Sequence, residues 1–219
     1  MINKPNILWF NQLGIDDVDI VGGKGGNLGE MYNIGIPIPN GFVVTSNAYF
    51  QFIEDNNLKP LIKDILKITD VDQPDQLQLA SKKIRSLIRK SPINQQLAIE
   101  IMKAYKKLAG FGGLKNIPVA VRTSATAEDS LDASFAGQGD TFLNVYGEVN
   151  VVNRVRDCWS SLFTSRSIFY QVKKHYDHFK IGVAVPVQKL INSEISGIMF
   201  TTNPVTNAKN EIIVETIFS

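Results

Sequence analysis

The amino-acid sequence predicts a mixed α/β (α+β) domain, and three observations lead to this prediction. Short runs of β-branched and aromatic residues, typical of strands, lie at Gly41–Thr45, Pro118–Val121 and Thr141–Val145. From about residue 59 to residue 109, apolar residues recur at three- and four-residue spacings, which is typical of amphipathic helices. The chain has 219 residues, 44% of them hydrophobic, and this is enough to bury a sizeable core.

A glycine-rich turn between Ile20 and Gly35 is predicted to lead into a helix, and it carries Lys24. The turn is not a Walker A loop, because neither Ser nor Thr follows its Gly-Lys pair. It is not a dinucleotide-binding fingerprint either, because Leu28 stands where the third glycine belongs. A lysine near a helix N-terminus can still reach a phosphate group that the helix dipole favours. The alternative is a solvated loop lysine.

A strand at Gly41–Thr45 is expected to precede a helix that begins near Ser46 and buries an aromatic group. The helical segment at about 59–109 follows, punctuated by Pro74 and Pro92. We interpret this segment as a helical layer that supports the candidate site.

The stretch from Ile117 to Asn144 concentrates the unusual chemistry of the chain. The predicted strand ends at Arg122, which is one of only six arginines and has no adjacent carboxylate. Thr123, Ser124 and Thr126 follow with hydroxyl groups that we expect beside the guanidinium. A Gly-Gln-Gly turn at 137–139 then offers backbone N–H groups to an anion. The commoner alternatives are a simple glycine turn and a surface arginine.

The segment from Glu148 to about His175 has helical spacing and is predicted to form one long helix or two in succession. We expect Cys158 to pack on its apolar face rather than to act as a nucleophile. His175 and His178 flank Asp177, but two adjacent lysines oppose a bound cation, so no metal ligands are assigned.

The last quarter predicts three strands, at 183–188, 197–201 and 211–215, which we expect to form the second wall of a ligand cleft. Gln188 ends the first of them, where its amide can contact a ligand or simply mark an edge strand.

Composition excludes several classes of protein. A formal net charge of +2 argues against a dedicated nucleic-acid surface, and no apolar run approaches the length of a membrane span. The first residues do not form a signal-peptide core, and the single cysteine suits a reducing compartment. We therefore expect a cytoplasmic protein that binds neither nucleic acid nor membrane.

Several motifs together resemble one family. VRTSATAED followed by DASFAGQGDTFLN resembles the nucleotide-binding domain of the phosphoenolpyruvate synthase (pyruvate, water dikinase) family. IVGGKGGNLGEM, GIPIPNGFVVTSNAYFQFI and VAVPVQKLINSEISGIMFTTNPVT extend the resemblance over nearly the whole chain. Pyruvate phosphate dikinase and rifampin phosphotransferase share the domain. The resemblance implies an ATP-grasp-like fold in which residues 1–219 form the N-terminal part, truncated at the C-terminus.

The resemblance also implies the site residues. Five residues match positions that contact ATP in the family: Lys24, Arg122, Gly137, Thr141 and Gln188. Arg122 and Lys24 are the candidates for stabilising phosphate charge, and no other catalytic residue is assigned. Glu215 is a weaker candidate for a contact linked to magnesium. Thr123 replaces a more usual serine, and Ser130-Leu131 stands where many relatives have Leu-Pro.

For the complete enzyme, the resemblance implies ATP and Mg²⁺ as cofactors and the conversion of ATP, pyruvate and water to phosphoenolpyruvate, AMP and phosphate. A phosphohistidine in a later domain would carry the phosphoryl group, and pyruvate would bind through domains absent here, in an enzyme that can oligomerise. We expect this chain alone to be inactive. The alternatives are the corresponding part of rifampin phosphotransferase and a non-catalytic nucleotide-binding module.

Overall fold

The computed structural model describes residues 5–110, 116–126 and 139–218. These ranges contain seven α-helices: α1 (Val18–Asn33), α2 (Ser46–Asp55), α3 (Leu58–Lys67), α4 (Pro74–Lys90), α5 (Gln95–Gly110), α6 (Glu148–Ser160) and α7 (Ser165–Lys173). They also contain eight strands: β1 (Ile7–Trp9), β2 (Gly41–Val44), β3 (Val119–Arg122), β4 (Ser124–Ala125), β5 (Thr141–Val145), β6 (Val183–Lys189), β7 (Ile195–Phe200) and β8 (Ile213–Phe218). The predicted mixed α/β class is confirmed.

One antiparallel sheet organises most of these elements. Its six strands follow the order β1-β2-β6-β3-β5, and β4 continues from β3 to pair with β6 as well. Strand β6 therefore lies at the centre and pairs with three others. Its residues are buried from Val183 to Gln188, as expected for a strand covered on both faces.

The two faces of the sheet carry cores of different size. Val183, Val185 and Val187 of β6 point into the larger core, which the α2–α7 part of the chain covers. Ala184 points to the opposite face, where it joins a small cluster with Val43 and with Val21 of α1. Because side chains alternate along a strand, this smaller face also receives Ala120 and Arg122 of β3.

Helix α1 packs closely on its neighbours through its glycines, and this corrects the predicted turn. Gly23–Gly26 lie inside the helix rather than in a loop before it. A Cβ atom at Gly29 would stand 2.7 Å from the carbonyl oxygen of Leu13, and one at Gly26 would stand 3.3 Å from the carbonyl oxygen of Gly14. Most of these glycines therefore permit close packing.

The structure also corrects the arrangement predicted for the last quarter of the chain. Strand β6 belongs to the central sheet, so it does not form a second wall together with β7 and β8. The last strand covers Ile213–Phe218 rather than 211–215. Strands β7 and β8 pair only with each other in the described ranges, as an antiparallel hairpin. Its apolar side chains are exposed on both faces, at Ile195 and Met199 on one face and at Ile198 and Ile217 on the other.

The segment from Glu148 forms two helices in succession, which is one of the two predicted arrangements, with a short 3-10 helix at Ser161–Phe163 between them. Strand β1 was not predicted, because its three residues are too few to show a pattern. Cys158 is fully buried, and burial raises the pKa of its thiol to about 12, so the predicted packing role is supported. Among the described helices, none combines the length and apolarity needed to cross a bilayer.

His178 is held against a buried glutamine near the end of α7. Its Nδ1 lies 2.8 Å from Oε1 of Gln171, whose amide nitrogen donates to the carbonyl of Leu162 and to Oγ of Ser167, both at 3.0 Å. Because Oε1 can only accept, Nδ1 of His178 carries the proton of the neutral ring. Burial lowers the pKa of His178, although nearby Asp177 opposes this shift.

This environment predicts a pH-dependent stability. In the unfolded chain His178 gains a proton near its ordinary pKa of 6.5, whereas in the folded protein it does so only at lower pH. The free energy of unfolding should therefore fall as pH drops below about 6.5, by at most about 1.4 kcal/mol per pH unit for one proton. Urea unfolding between pH 7.5 and 5 measures this slope. His178→Gln should flatten it and His175→Asn should not; equal slopes in wild type and His178→Gln would contradict the assignment.

Candidate functional site

Arg122 and Thr141 lie side by side at the open end of the sheet. Arg122 ends β3, Thr141 begins β5, and the two residues are directly opposite in the antiparallel register. Cβ atoms of such a pair lie roughly 4.5–5.5 Å apart on the same face. Gln188 of β6 is opposite Ala120, which shares a face with Arg122. Three of the five predicted residues therefore belong to one face of the sheet.

Helix α1 meets this face at Gly22. The backbone of Gly22 has a φ of 66°, which interrupts the helix, and helical geometry resumes at Gly23. A Cβ atom at Gly22 would collide with Oγ of Ser124 and would lie 2.8 Å from its carbonyl oxygen. Ser124 is two residues beyond Arg122, and the exposed Lys24 is two residues beyond Gly22. The contact thus brings the start of the resumed helix to the end of β3.

Two buried polar atoms at this junction have no hydrogen-bond partner. They are Nε of Arg122 and Oγ of Ser124. Among the described residues, Arg122 is half-buried and takes part in no ion pair. An unsatisfied buried donor costs free energy, and a buried cation without a counter-charge costs more. An anionic ligand would satisfy both, and phosphate oxygens suit the planar guanidinium.

Gln188 has a structural contact that the sequence did not indicate. The side chain is 7% exposed, and its Nε2 donates to the carbonyl of Pro39 at 2.9 Å. This bond fixes the amide across the sheet and leaves Oε1 as the atom that can accept a hydrogen bond from a ligand.

The hydroxyl groups expected beside the guanidinium are only partly there. Thr123 points to the other face, where its Oγ1 lies 3.1 Å from the carbonyl oxygen of Asp140 and 3.0 Å from Oγ of Ser161. Thr126 Oγ1 accepts from the backbone N–H of Gly182 at 3.0 Å. The expectation is therefore wrong for Thr123, which points to the other face. The hydroxyl of Thr126 is engaged by Gly182, and Ser124 is on the face of Arg122.

Gly137, another of the predicted residues, lies outside the part of the chain that the structure describes. Glu215 is exposed on β8, in the hairpin that pairs apart from the central sheet. Sequence reasoning also missed the ion pair between Arg85 and Asp140, because the two residues are 55 positions apart and no local pattern joins them.

The described residues do not provide a ready site for a protein-held magnesium ion. No group of three or more histidine, cysteine or carboxylate side chains that could hold a metal occurs in the described ranges. The nearest carboxylate along β5, Asp140, is paired with Arg85. The junction is therefore cationic, which suits phosphate oxygens rather than a metal ion.

A basic groove of about 1210 Å³ forms a second concave surface, between α4 and the start of α7. Five cationic side chains line it: Lys82, Arg85, Arg89, Lys90 and Arg166. Two of them are neutralised, because Arg85 pairs with Asp140 and Arg89 pairs with Asp157. None of the four predicted ATP contacts that the structure describes lines this groove.

A sequence profile of the family described as "Pyruvate phosphate dikinase, AMP/ATP-binding domain" matches residues 18–219. The chain belongs to this family. As a pyruvate phosphate dikinase-type AMP/ATP-binding domain, it contains α1, the central strands and the hairpin within the matched range. The junction of Gly22, Ser124 and Arg122 is thus part of the family's nucleotide-binding domain.

Three relatives of this AMP/ATP-binding domain are named as phosphoenolpyruvate synthases or probable phosphoenolpyruvate synthases. The chain is 50% identical, over 95% of its length, to a Methanocaldococcus jannaschii protein named "Probable phosphoenolpyruvate synthase", of which it covers 18%. It is 44% identical, over 95% of its length, to the phosphoenolpyruvate synthase of Pyrococcus furiosus, covering 29% of that protein. It is 48% identical, over 97% of its length, to a Staphylothermus marinus protein named "Probable phosphoenolpyruvate synthase", of which it covers 26%. The chain thus spans less than a third of each relative.

Proposed function

We propose that this domain binds ATP with its phosphate groups at the junction of β3, β5 and α1. The observation that carries the proposal is the half-buried guanidinium of Arg122, whose Nε has no partner in the described part of the protein. The neighbouring hydroxyl of Ser124 and the start of the resumed α1 helix add donors on the same side. Family membership makes adenine nucleotides the ligand class.

In this proposal each residue has a distinct role. Arg122 contacts phosphate oxygens with a permanent, planar charge, and Lys24 adds a mobile ammonium group. Thr141 offers a hydroxyl opposite Arg122, and Gln188 offers Oε1 deeper on the same face. Gly137 provides backbone donors. Phosphoryl transfer depends mainly on positioning and charge neutralisation, so these groups orient ATP without acting as acid or base.

Magnesium enters the proposal with the substrate, as Mg-ATP. Within the described ranges the cationic junction has no carboxylate cluster, so we assign no step to a protein-held ion there. Mg²⁺ usually keeps several waters and binds through substrate phosphates together with one or two carboxylates.

The complete protein is proposed to be a phosphoenolpyruvate synthase with an ATP-grasp-like domain. It would convert ATP, pyruvate and water to phosphoenolpyruvate, AMP and phosphate, using further domains for the phosphohistidine and for pyruvate. The names of the relatives support this activity. Assaying a longer protein for phosphoenolpyruvate and AMP tests the activity, and a cytoplasmic location remains part of the proposal.

Calorimetric titration of the chain tests the binding proposal directly. Because Arg122 and Lys24 are assigned to phosphates, affinity should decrease from Mg-ATP to AMP to adenosine, and pyruvate or a short RNA should bind far more weakly than Mg-ATP. Affinity for Mg-ATP should also fall as salt rises, because partly exposed charges are screened. Equal affinities for adenosine and Mg-ATP would contradict a phosphate role for the junction.

A further inference from the structure

Asp140 connects the strand end at the proposed phosphate site to the helical layer. Its carbonyl oxygen accepts from the backbone N–H of Thr123 at 3.1 Å and lies 3.1 Å from Thr123 Oγ1. Its carboxylate Oδ2 lies 2.9 Å from Nη2 of Arg85, on α4. Arg85 therefore reaches from the far side of the sheet to the residue that immediately precedes Thr141.

The surroundings of this pair favour a specific contact over a loose surface one. The side chains of Arg85 and Asp140 are 24% and 32% exposed. Partial burial reduces screening by solvent, so such a charged hydrogen bond is stronger than an exposed pair. Among the described residues, Asp140 is the one hydrogen-bonding partner of Arg85. The Nε atom of Arg85 is buried and has no hydrogen-bond partner there.

Gly139, the residue before Asp140, is packed tightly on Thr123, which directly follows β3. A Cβ atom at Gly139 would stand 2.6 Å from Cβ of Thr123. Thr123 in turn contacts Ser161, whose hydroxyl donates to the carbonyl of Cys158 at 2.7 Å. Gly139 and Asp140 thus form a clamp on Thr123, and Arg85 supplies its one charged anchor in the described structure.

We propose that Arg85 is a positioning residue of the ATP site. Through Asp140 it holds the first residues of β5 in register, so that Thr141 stays opposite Arg122. This inference rests on the proposed function, because it assumes that Arg122 and Thr141 face ATP phosphates. Without the pair, the strand end opens more often, as terminal segments do at low free-energy cost. If the competent arrangement were populated a tenth of the time, ATP affinity would fall about tenfold.

The chain offers a matched control for this test. Arg89 lies one turn later on the same helix and pairs with Asp157, with Nε 3.2 Å from Oδ1, rather than with Asp140. We expect Arg85→Met and Asp140→Asn each to weaken Mg-ATP binding about tenfold. Arg89→Met should change the affinity for Mg-ATP by less than about twofold, which is small beside a tenfold change, equivalent to about 1.4 kcal/mol. The double variant Arg85→Met/Asp140→Asn should lose no more than either single variant, because both remove one interaction. Arg85→Lys should restore part of the affinity.

Amide hydrogen exchange in the nucleotide-free chain gives a second readout. The N–H of Thr123 donates to Asp140, so its exchange should accelerate in Arg85→Met and Asp140→Asn while the core strand β6 stays protected. Asp140→Asn preserves side-chain size and carries the test if Arg85→Met does not fold. Wild-type exchange at Thr123 in both variants would overturn the proposal, as would an equal loss of protection throughout the protein.

The two readouts separate this inference from the function beneath it. If wild type and Arg89→Met bind no Mg-ATP, the proposed function fails, and exchange at Thr123 still decides whether Arg85 holds the strand end. If wild type binds Mg-ATP and Arg85→Met binds it equally well, the positioning role fails and the proposed function stands.

Discussion

Arg122→Met should weaken Mg-ATP binding by roughly 10- to 150-fold, the equivalent of losing a charged hydrogen bond worth about 1.5–3 kcal/mol. Methionine keeps an apolar stem of similar length and removes the charge. Because Arg122 has no ion-pair partner among the described residues, its replacement should leave the free energy of unfolding unchanged or slightly higher. Affinity should therefore fall without a loss of stability, which a general packing defect would not produce.

Arg166→Met is the matched control, because Arg166 is exposed on α7 and lines the basic groove. Calorimetry should show Mg-ATP affinity within about twofold of wild type, which is small against the tenfold step of 1.4 kcal/mol. If Arg166→Met lost affinity for Mg-ATP and Arg122→Met did not, the basic groove would be the nucleotide site instead. A large loss of stability in Arg122→Met would make Arg122 a structural residue instead.

Gly22→Ala should destabilise the protein by roughly 2–5 kcal/mol, because it combines an unfavourable backbone with a collision. Gly22 has a φ of 66°, and the new Cβ would meet Ser124 and would stand 2.9 Å from the carbonyl oxygen of Ala125. Neither the backbone of Gly22 nor that of Ser124 and Ala125 can move without separating α1 from the end of β3. Urea unfolding measures the loss, and Mg-ATP affinity of the folded fraction should fall with it.

Gly35→Ala isolates the backbone contribution. Gly35 has a φ of 83°, but a Cβ atom there would meet nothing within 4 Å. This variant should cost about 1–2 kcal/mol, the penalty for a left-handed alanine alone. Equal losses in both variants would show that the contact between Gly22 and Ser124 contributes nothing.

Local patterns predicted much of the secondary structure. The β-branched runs correspond to β2, β3 and β5, and the three- and four-residue spacings correspond to helices. Arg122 was proposed because an arginine directly after an uncharged strand has no local charge to pair with. Lys24 was proposed from its place in a glycine-rich segment and from the family resemblance, and the close packing of α1 explains most of those glycines.

The geometry of the site depends on register, which local sequence does not specify. Arg122 faces Thr141 because β3 and β5 pair antiparallel, and Gln188 shares their face because β6 inserts between β2 and β3. The role of β6 was mispredicted for the same reason. Three late strands in succession suggest one local sheet, whereas β6, the first of them, is buried and pairs at the centre of the main sheet. Side-chain hydroxyl directions at Thr123 and Thr126 follow from this pairing as well.

A crystal structure of the chain with Mg²⁺ and a non-hydrolysable ATP analogue tests the central claim most directly. We expect a phosphate oxygen within about 2.7–3.2 Å of a guanidinium nitrogen of Arg122, on the face of the sheet that carries Thr141. Phosphates seated in the groove beside Lys82, Arg89 and Arg166, with Arg122 uncontacted, would contradict it.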